Sequence, residues 1–297
     1  MTSSGKTQFK VGFIGLGIMG RHMAGHILGA GYELHINSRT RSKALPLIEA
    51  GAIWHDRPDV EAIYLGTDGI LDRARPGTVL IDMTTSSPAL AERIADTASQ
   101  RGIAALDAPV SGGDVGARDA KLAIMVGGDE TAFNQVLPLL RIIGSNVVRM
   151  GGAGSGQHTK MANQIAIAST MLAVAESIAY ANRAGLNPNL VLDVIGTGAA
   201  SSFLLNGLGR KMIHQDFTAG FFVHHFIKDM TIALEEATRM KLDLPGLALA
   251  RSLYERLMEG GFGEDGTQAL YRVYDMLHSD GGATCQARLR RESSDRI

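Results

Sequence analysis

A single cysteine, Cys285, in 297 residues leaves no partner for an internal disulfide and no thiolate set for a metal. Neither sign of charge is in excess: 29 Lys and Arg face 30 Asp and Glu, a formal net charge of −1. Nothing electrostatic therefore draws the chain to nucleic acid or to an anionic membrane. The opening residues, Met1 to Phe9, are polar and lack the apolar core of a signal peptide, which reads as a cytoplasmic chain. The longest apolar run, Met161 to Ala181, is interrupted by Asn163, Gln164 and Glu176, so it reads as a core helix and not a membrane span. What is present is ordinary globular composition, 45% hydrophobic and 20% charged, in a chain long enough for two domains.

Residues 10–15 (KVGFIG) form a short apolar run ending in glycine, the pattern of a buried parallel strand. A helical stretch from Ile18 to Gly29 follows, then a second strand, Glu33 to Asn37. Arg41 to Ala50 reads as helix and Ala52 to Trp54 as a short third strand. Further strands are expected at Thr78–Asp82, Ala104–Asp107, Leu122–Val126 and Asn146–Arg149, with helices at 87–101 and 130–142 between them. Such alternation implies crossover units and a mostly parallel sheet with helices on both faces. From Ser155 onward only helical periodicity remains, over 155–184, 188–196, 226–240 and 245–259, with Asn187-Pro188 and Leu244-Pro245 as helix starts. The fold class is thus an α/β Rossmann-type sheet domain, 8–151, followed by an all-helical domain, 152–297. The tail after His278 is polar and irregular.

Gly15-Leu16-Gly17-Ile18-Met19-Gly20 matches G-x-G-x-x-G between a strand and a helix. In a dinucleotide site Gly15 permits the tight turn, Gly17 lets the backbone approach a pyrophosphate and Gly20 lets helix and strand pack closely. The helix N-terminus then offers N–H groups to the phosphates. The second strand ends in Asn37-Ser38-Arg39-Thr40-Arg41, with no acid to accept bonds from a ribose 2′-hydroxyl. Two arginines and two hydroxyls favour a 2′-phosphate, hence NADP over NAD, with Arg39 as its ligand and Ser38 and Thr40 beside it. The plain alternative is that Arg39 and Arg41 begin a solvated helix.

A second pattern, Gly151-x-x-Gly154-x-Gly156-x-x-x-Lys160-x-x-Asn163, puts an ammonium and an amide on one face of a helix. That pair suits a carbonyl, with lysine donating the proton and the amide holding the substrate. Spacing alone equally allows an exposed lysine near a helix start. Asp107-Ala-Pro-Val-Ser111-Gly112-Gly113 ends a strand, where open α/β sheets bind ligands. Its hydroxyl and bare amides form either a carboxylate nest or a simple turn. Adjacent His224 and His225 diverge on a helix and share no carboxylate at a useful spacing, so no metal site is expected.

Taken together, Gly12 to Gly20, Asp82-Met-Thr-Thr-Ser-Ser-Pro88, Asp107 to Gly113, Gly151 to Asn163 and Lys228-Asp229 resemble the β-hydroxyacid dehydrogenase family, in family order over about residues 10–275. The resemblance implies Lys160 as the catalytic lysine and Ser111, Gly112 and Gly113, with Asn163, at the substrate. It also places Thr85 at the nicotinamide nucleotide and Lys228 at the cofactor from the helical domain. A small carboxylated substrate and a homodimer or homotetramer are implied as well. The related imine reductases usually lack this lysine. One departure stands out. Between the third strand and Gly69-Ile-Leu71 only Ile53 to Ile70 is present, too short for a strand–helix–strand crossover of about 30 residues. One strand, and roughly 20 residues, therefore look absent from the first domain. Two further readings follow: a dinucleotide-binding protein without catalysis, and a reductase of imines or longer semialdehydes.

Overall fold

The computed structural model describes residues 10–55, 64–65 and 69–274. The chain divides into two compact units, Met1–Lys160 and Met161–Ile297. The division falls inside a helix and not in the glycine-rich segment before it.

The first unit holds two sheets. In the first sheet β1 (Lys10–Ile14) and β2 (Glu33–Asn37) pair in parallel, Lys10 against Glu33 through Ile14 against Asn37. The two-residue β3 (Ile53–Trp54) pairs in parallel with β2. Helix α1 (Gly20–Gly29) crosses between β1 and β2 and buries Met23, Ala24 and Ile27. Expected helix 41–50 divides into a 3-10 turn, Arg41–Ala44, and a short α2 (Leu45–Glu49), because Pro46 at the helix start restricts where the α pattern begins. A short α3 (Ile70–Arg73) then leads to the second sheet.

That sheet begins with β4 (Val79–Asp82) and β5 (Ala104–Asp107), parallel, joined by α4 (Pro88–Ser99). Ser87 caps α4 by accepting from the Leu90 N–H, and Pro88 opens its first turn. Next come β6 (Val110–Ser111), the six-residue α5 (Gly113–Arg118) and β7 (Leu122–Gly127). Helix α6 (Glu130–Ile143), capped by Asp129, returns the chain to β8 (Gly144–Gly151), parallel to β7. The sheet is mixed: β7 runs antiparallel to both β5 and β6. The other ladders are parallel, as a mostly parallel arrangement requires. β5 and β6 run in the same direction along β7, Asp107 against Gly127 and Ser111 against Ala123, and the chain reverses between β6 and β7, across α5.

Strand β1 also departs from expectation. KVGFIG reads as a strand buried on both faces, yet Lys10, Gly12 and Ile14 are exposed, Ile14 to 45%. Among the described residues nothing pairs with the outer edge of β1, and no ladder joins β1 to β4. The exposed face is polar on β2 as well, where Glu33 bridges Lys10 at 2.9 Å and His35. The opposite face packs normally. Leu34 and Ile36 share one core with Met23 and Ile27 of α1 and with Leu106, Ile124, Val126 and Leu140 of the second sheet and α6. The stretch Trp54 to Glu61, expected to be without strand, and the tail after His278 lie largely or wholly outside the described residues.

The second unit is helical. Helix α7 (Ser155–Arg183), long and apolar enough by length and composition to cross a membrane, gives Met171, Val174, Ala175 and Ile178 to the core of this unit. Around it lie α8 (Pro188–Ile195), a π-type turn at Leu204–Leu208 running into α9 (Gly209–Ile213), α10 (Val223–Arg239) and α11 (Pro245–Glu259). Phe226 of α10 meets Tyr254 of α11 edge-on, and the buried Tyr254 hydroxyl donates to the Thr267 carbonyl at 2.8 Å.

Candidate functional site

The glycine-rich turn leaves β1 at Gly15, whose φ of +98° is open to glycine and strained for other residues. Gly15 N–H donates to the Asn37 carbonyl at 2.9 Å, and Leu16 N–H to the Ser38 hydroxyl at 3.4 Å, so the ends of β1 and β2 are tied together. A Cβ on Gly20 would collide with the Gly15 carbonyl oxygen, which accounts for the third glycine as a packing requirement. Gly17 is exposed with open space around it, and Ile18 and Met19 complete the turn half-buried before α1. Arg39 and Thr40 are exposed just past Ser38. Arg41 instead lies over the Trp54 ring, 5.8 Å from its centroid.

The second sheet carries the other first-unit positions. Asp82 closes β4 and organises the turn after it: Oδ1 accepts from Thr84 N–H at 3.0 Å and Thr84 Oγ1 at 2.7 Å, and Oδ2 from the Ser86 hydroxyl at 3.4 Å. Burial pushes the Asp82 carboxyl above the ordinary carboxylate value, against these hydrogen bonds, and nearby Asp107 adds to the rise. Thr85 sits in the middle of this turn. Gln157, fully buried, grips it from the other side, donating from Nε2 to the Thr84 carbonyl at 2.8 Å and accepting on Oε1 from Ser86 N–H at 3.2 Å.

Asp107, at the end of β5, accepts from Gly154 N–H on Oδ1 and from Gln157 N–H on Oδ2, both at 2.8 Å. A carboxylate on the first N–H groups of α7 is a charged cap, favoured by the helix dipole. Gly156 completes this junction, since a Cβ there would press into the carbonyl oxygens of Met125 and Asp107. One turn on, Lys160 is only 8% exposed, and its Nζ donates to the Val110 carbonyl at 2.9 Å. The exposed-lysine alternative is therefore excluded. Val110 adjoins Ser111, Gly112 and Gly113, the two glycines at φ +127° and +63°. The first unit thus assembles Thr85, the Ser111–Gly113 segment and Lys160 on the second sheet. Gly15–Gly20 and Ser38–Thr40 lie on the first sheet, with no strand ladder between the two among the described residues.

In the second unit Asn163 and Lys228 are linked through two buried residues. Asn163 Nδ2 donates to Gln164 Oε1 at 2.8 Å, and Gln164 Nε2 to Asp229 Oδ2 at 2.7 Å. Lys228 Nζ stands 3.0 Å from Asp229 Oδ1. His224 stacks on Phe222 with its Nδ1 2.9 Å from the Gly263 carbonyl, and burial lowers the pKa of His225. Gln157 and Gln164 escaped sequence reasoning. Their partners lie 73 and 65 residues away, so only their burial, not any local period, marks them.

Comparison with known proteins addresses both halves. Residues 10–152 match the NAD binding domain of 6-phosphogluconate dehydrogenase, and residues 154–274 the NAD-binding domain of NADP-dependent 3-hydroxyisobutyrate dehydrogenase. An uncharacterised oxidoreductase of Bacillus subtilis is 49% identical over 282 residues, 89% of this chain and 98% of the relative. The 2-hydroxy-3-oxopropionate reductase of Escherichia coli is 36% identical, over 90% of this chain and 98% of its own. The crystal structure of 3-hydroxyisobutyrate dehydrogenase from Salmonella typhimurium superposes with a TM-score of 0.79 at 27% identity, covering 89% of this chain and 99% of that one. With both halves matched and these relatives covered almost end to end, the chain belongs to the β-hydroxyacid dehydrogenase family, NAD(P)-dependent dehydrogenases and reductases acting on CH–OH groups.

Proposed function

We propose that this chain transfers a hydride between NADP(H) and a small 3-hydroxy acid or its semialdehyde, of the 2-hydroxy-3-oxopropionate (tartronate semialdehyde) or 3-hydroxyisobutyrate type. The observation that carries this reading is the buried Lys160 ammonium, 2.9 Å from the Val110 carbonyl beside Ser111-Gly112-Gly113. Lysine is seldom buried without a partner or a task. Here the Val110 carbonyl holds it next to a hydroxyl and two glycine amides suited to a carboxylate.

The residues present fit a phosphorylated dinucleotide. Gly15 turns at positive φ, Gly17 leaves the backbone open to a pyrophosphate, and no carboxylate stands at 37–41 to repel a 2′-phosphate. When bound, NADP(H) supplies or accepts the hydride. The N–H groups of Leu16 to Gly20 hold the phosphates, Arg39 with Ser38 and Thr40 the 2′-phosphate, and Thr85 and Lys228 the nicotinamide end. Ser111, Gly112 and Gly113 hold the substrate carboxylate, and Asn163 its oxygen. Lys160 donates a proton from Nζ to the carbonyl oxygen in reduction, and takes the hydroxyl proton in oxidation. The test is a panel of tartronate semialdehyde, methylmalonate semialdehyde, succinic semialdehyde and glyoxylate with NADPH and NADH. Turnover of a carboxylated aldehyde with NADPH preferred supports the reading. Turnover of cyclic imines alone, or a clear preference for NADH, overturns it.

The lack of a ladder on the outer edge of β1 among the described residues favours a second reading, a chain that binds dinucleotide without catalysis. Fluorescence titration with NADPH separates the two: saturable binding with no turnover of any aldehyde acid supports it. The homodimer or homotetramer implied by the resemblance fits apolar side chains that the helical unit leaves exposed, among them Tyr180, Leu190, Val194 and Phe203. A monomer in sedimentation equilibrium overturns that assignment.

A further inference from the structure

Amide side chains have two chemically distinct ends, and in a buried chain of them the first fixed member decides which end every other presents. The second unit contains such a chain. Asp229, 1% exposed, offers only acceptor oxygens while paired with the Lys228 ammonium. Gln164, also 1% exposed, must therefore turn Nε2 toward Asp229, at 2.7 Å, and that places Oε1 on its other branch. Oε1 accepts from Asn163 Nδ2 at 2.8 Å, so the Asn163 oxygen is on the branch turned away from Gln164.

We propose that Asp229 is a positioning residue which, through Gln164, fixes the orientation of the Asn163 amide. The same carboxylate also anchors Lys228, so one buried charge sets both groups. For Asn163 as a substrate-holding group this rests on the functional reading above; the orientation itself does not.

The chain makes an isosteric test possible. In Asp229→Asn the Lys228 ammonium, 3.0 Å from Oδ1, attracts the new amide oxygen and leaves its NH2 facing Gln164. Gln164 then turns its oxygen to residue 229 and its nitrogen to Asn163, and the Asn163 amide reverses. Adding Gln164→Glu moves the carboxylate one step along the chain. It accepts from both neighbouring amides, and Asn163 returns to its original orientation. A residue that merely filled space predicts no such rescue.

The Asn163 side-chain amide protons, followed by 15N NMR and assigned by their loss in Asn163→Asp, read the orientation without any turnover. One proton exchanging slowly in the wild type, with protection lost in Asp229→Asn and regained in the double variant, establishes the relay. Equal protection in all three overturns it. Should Asp229→Asn fail to fold, Gln164→Met cuts the same link, and retained protection there overturns the relay equally. In turnover, the single variant raises KM for the hydroxy acid about 3- to 10-fold with a smaller change in kcat, as loss of one uncharged hydrogen bond implies, and the double variant recovers it. A wild type that turns over no hydroxy acid refutes the functional reading, while the NMR result still decides the relay.

Discussion

The two sheets of the first unit are built to different standards. In the second sheet β7 is buried at every position but one, and β4 and β5 end in Asp82 and Asp107, tied to a turn and to a helix start. In the first sheet β1 alternates between half-buried and exposed, its outer edge carries no ladder among the described residues, and one face is covered by a polar array of Lys10, Glu33 and His35. Both sheets share a single core, so the difference is not one of folding against non-folding. It separates the sheet whose strand ends carry hydrogen-bonded carboxylates, Asp82 and Asp107, from the sheet whose sparsely covered first strand leads into the glycine-rich turn.

The largest expected effect tests the second sheet and the helix start joined to it. Replacing Lys160 with Ala should lower turnover by more than about 100-fold, the usual loss for a general acid, while NADPH binding by fluorescence titration changes little. Turnover near the wild-type level would move the chemistry off Lys160. Parallel loss of NADPH binding would show that the two sheets do not divide their tasks in this way.

The next effect tests the first sheet. Arg39→Ala should weaken NADPH binding by about 10-fold, the value of a lost charge-assisted hydrogen bond, and leave NADH binding nearly unchanged. Fluorescence titration with each dinucleotide reads both. An unchanged NADPH affinity would take Arg39 away from the 2′-phosphate.

Much of this contrast was legible beforehand. Strand Glu33–Asn37 and helix Pro245–Glu259 occur with the bounds their patterns give, since alternation in one and the Leu-Pro start in the other are local signals. The two-residue β6 was not legible, because two residues carry no period, and neither was the antiparallel course of β7. Among site residues, the glycine turn and Lys160 announce themselves by spacing. Gln157 and Gln164 do not, because their hydrogen bonds to Thr84 and Asp229 close only once distant segments meet. Ser38, read as a cofactor contact, also accepts the Leu16 N–H, a structural duty that its position at a strand end does not reveal.

A smaller effect is expected at the junction of the second sheet with α7. Asp107→Ala strips acceptors from the Gly154 and Gln157 N–H groups, a cap loss of about 1–2 kcal/mol, or roughly 2–6 °C in Tm. Because Gln157 also holds the turn around Thr85, NADPH affinity should fall with it. A lower Tm with unchanged affinity would confine Asp107 to stability.

The smallest effect concerns Asp82, where the second sheet itself carries a cost. Burial raises this carboxyl above the ordinary value of 3.8, so the folded protein keeps a proton at pH values where the unfolded chain has released it. The group's contribution to stability is therefore full below the ordinary carboxylate value and is lost as pH rises through the raised one. Asp82→Asn keeps an oxygen to accept from Thr84 N–H and Oγ1, and gives Ser86 Oγ a donor in place of an acceptor, so the turn survives. Removing the buried charge should then raise Tm at pH 7, with a smaller rise at pH 4, where the raised value keeps more of the folded-state carboxyl protonated. Scanning calorimetry at the two values checks the sign. A Tm that falls at pH 7 would mean that the three hydrogen bonds from Thr84 and Ser86 need the full carboxylate, and that the ordered turn outweighs the burial of its charge.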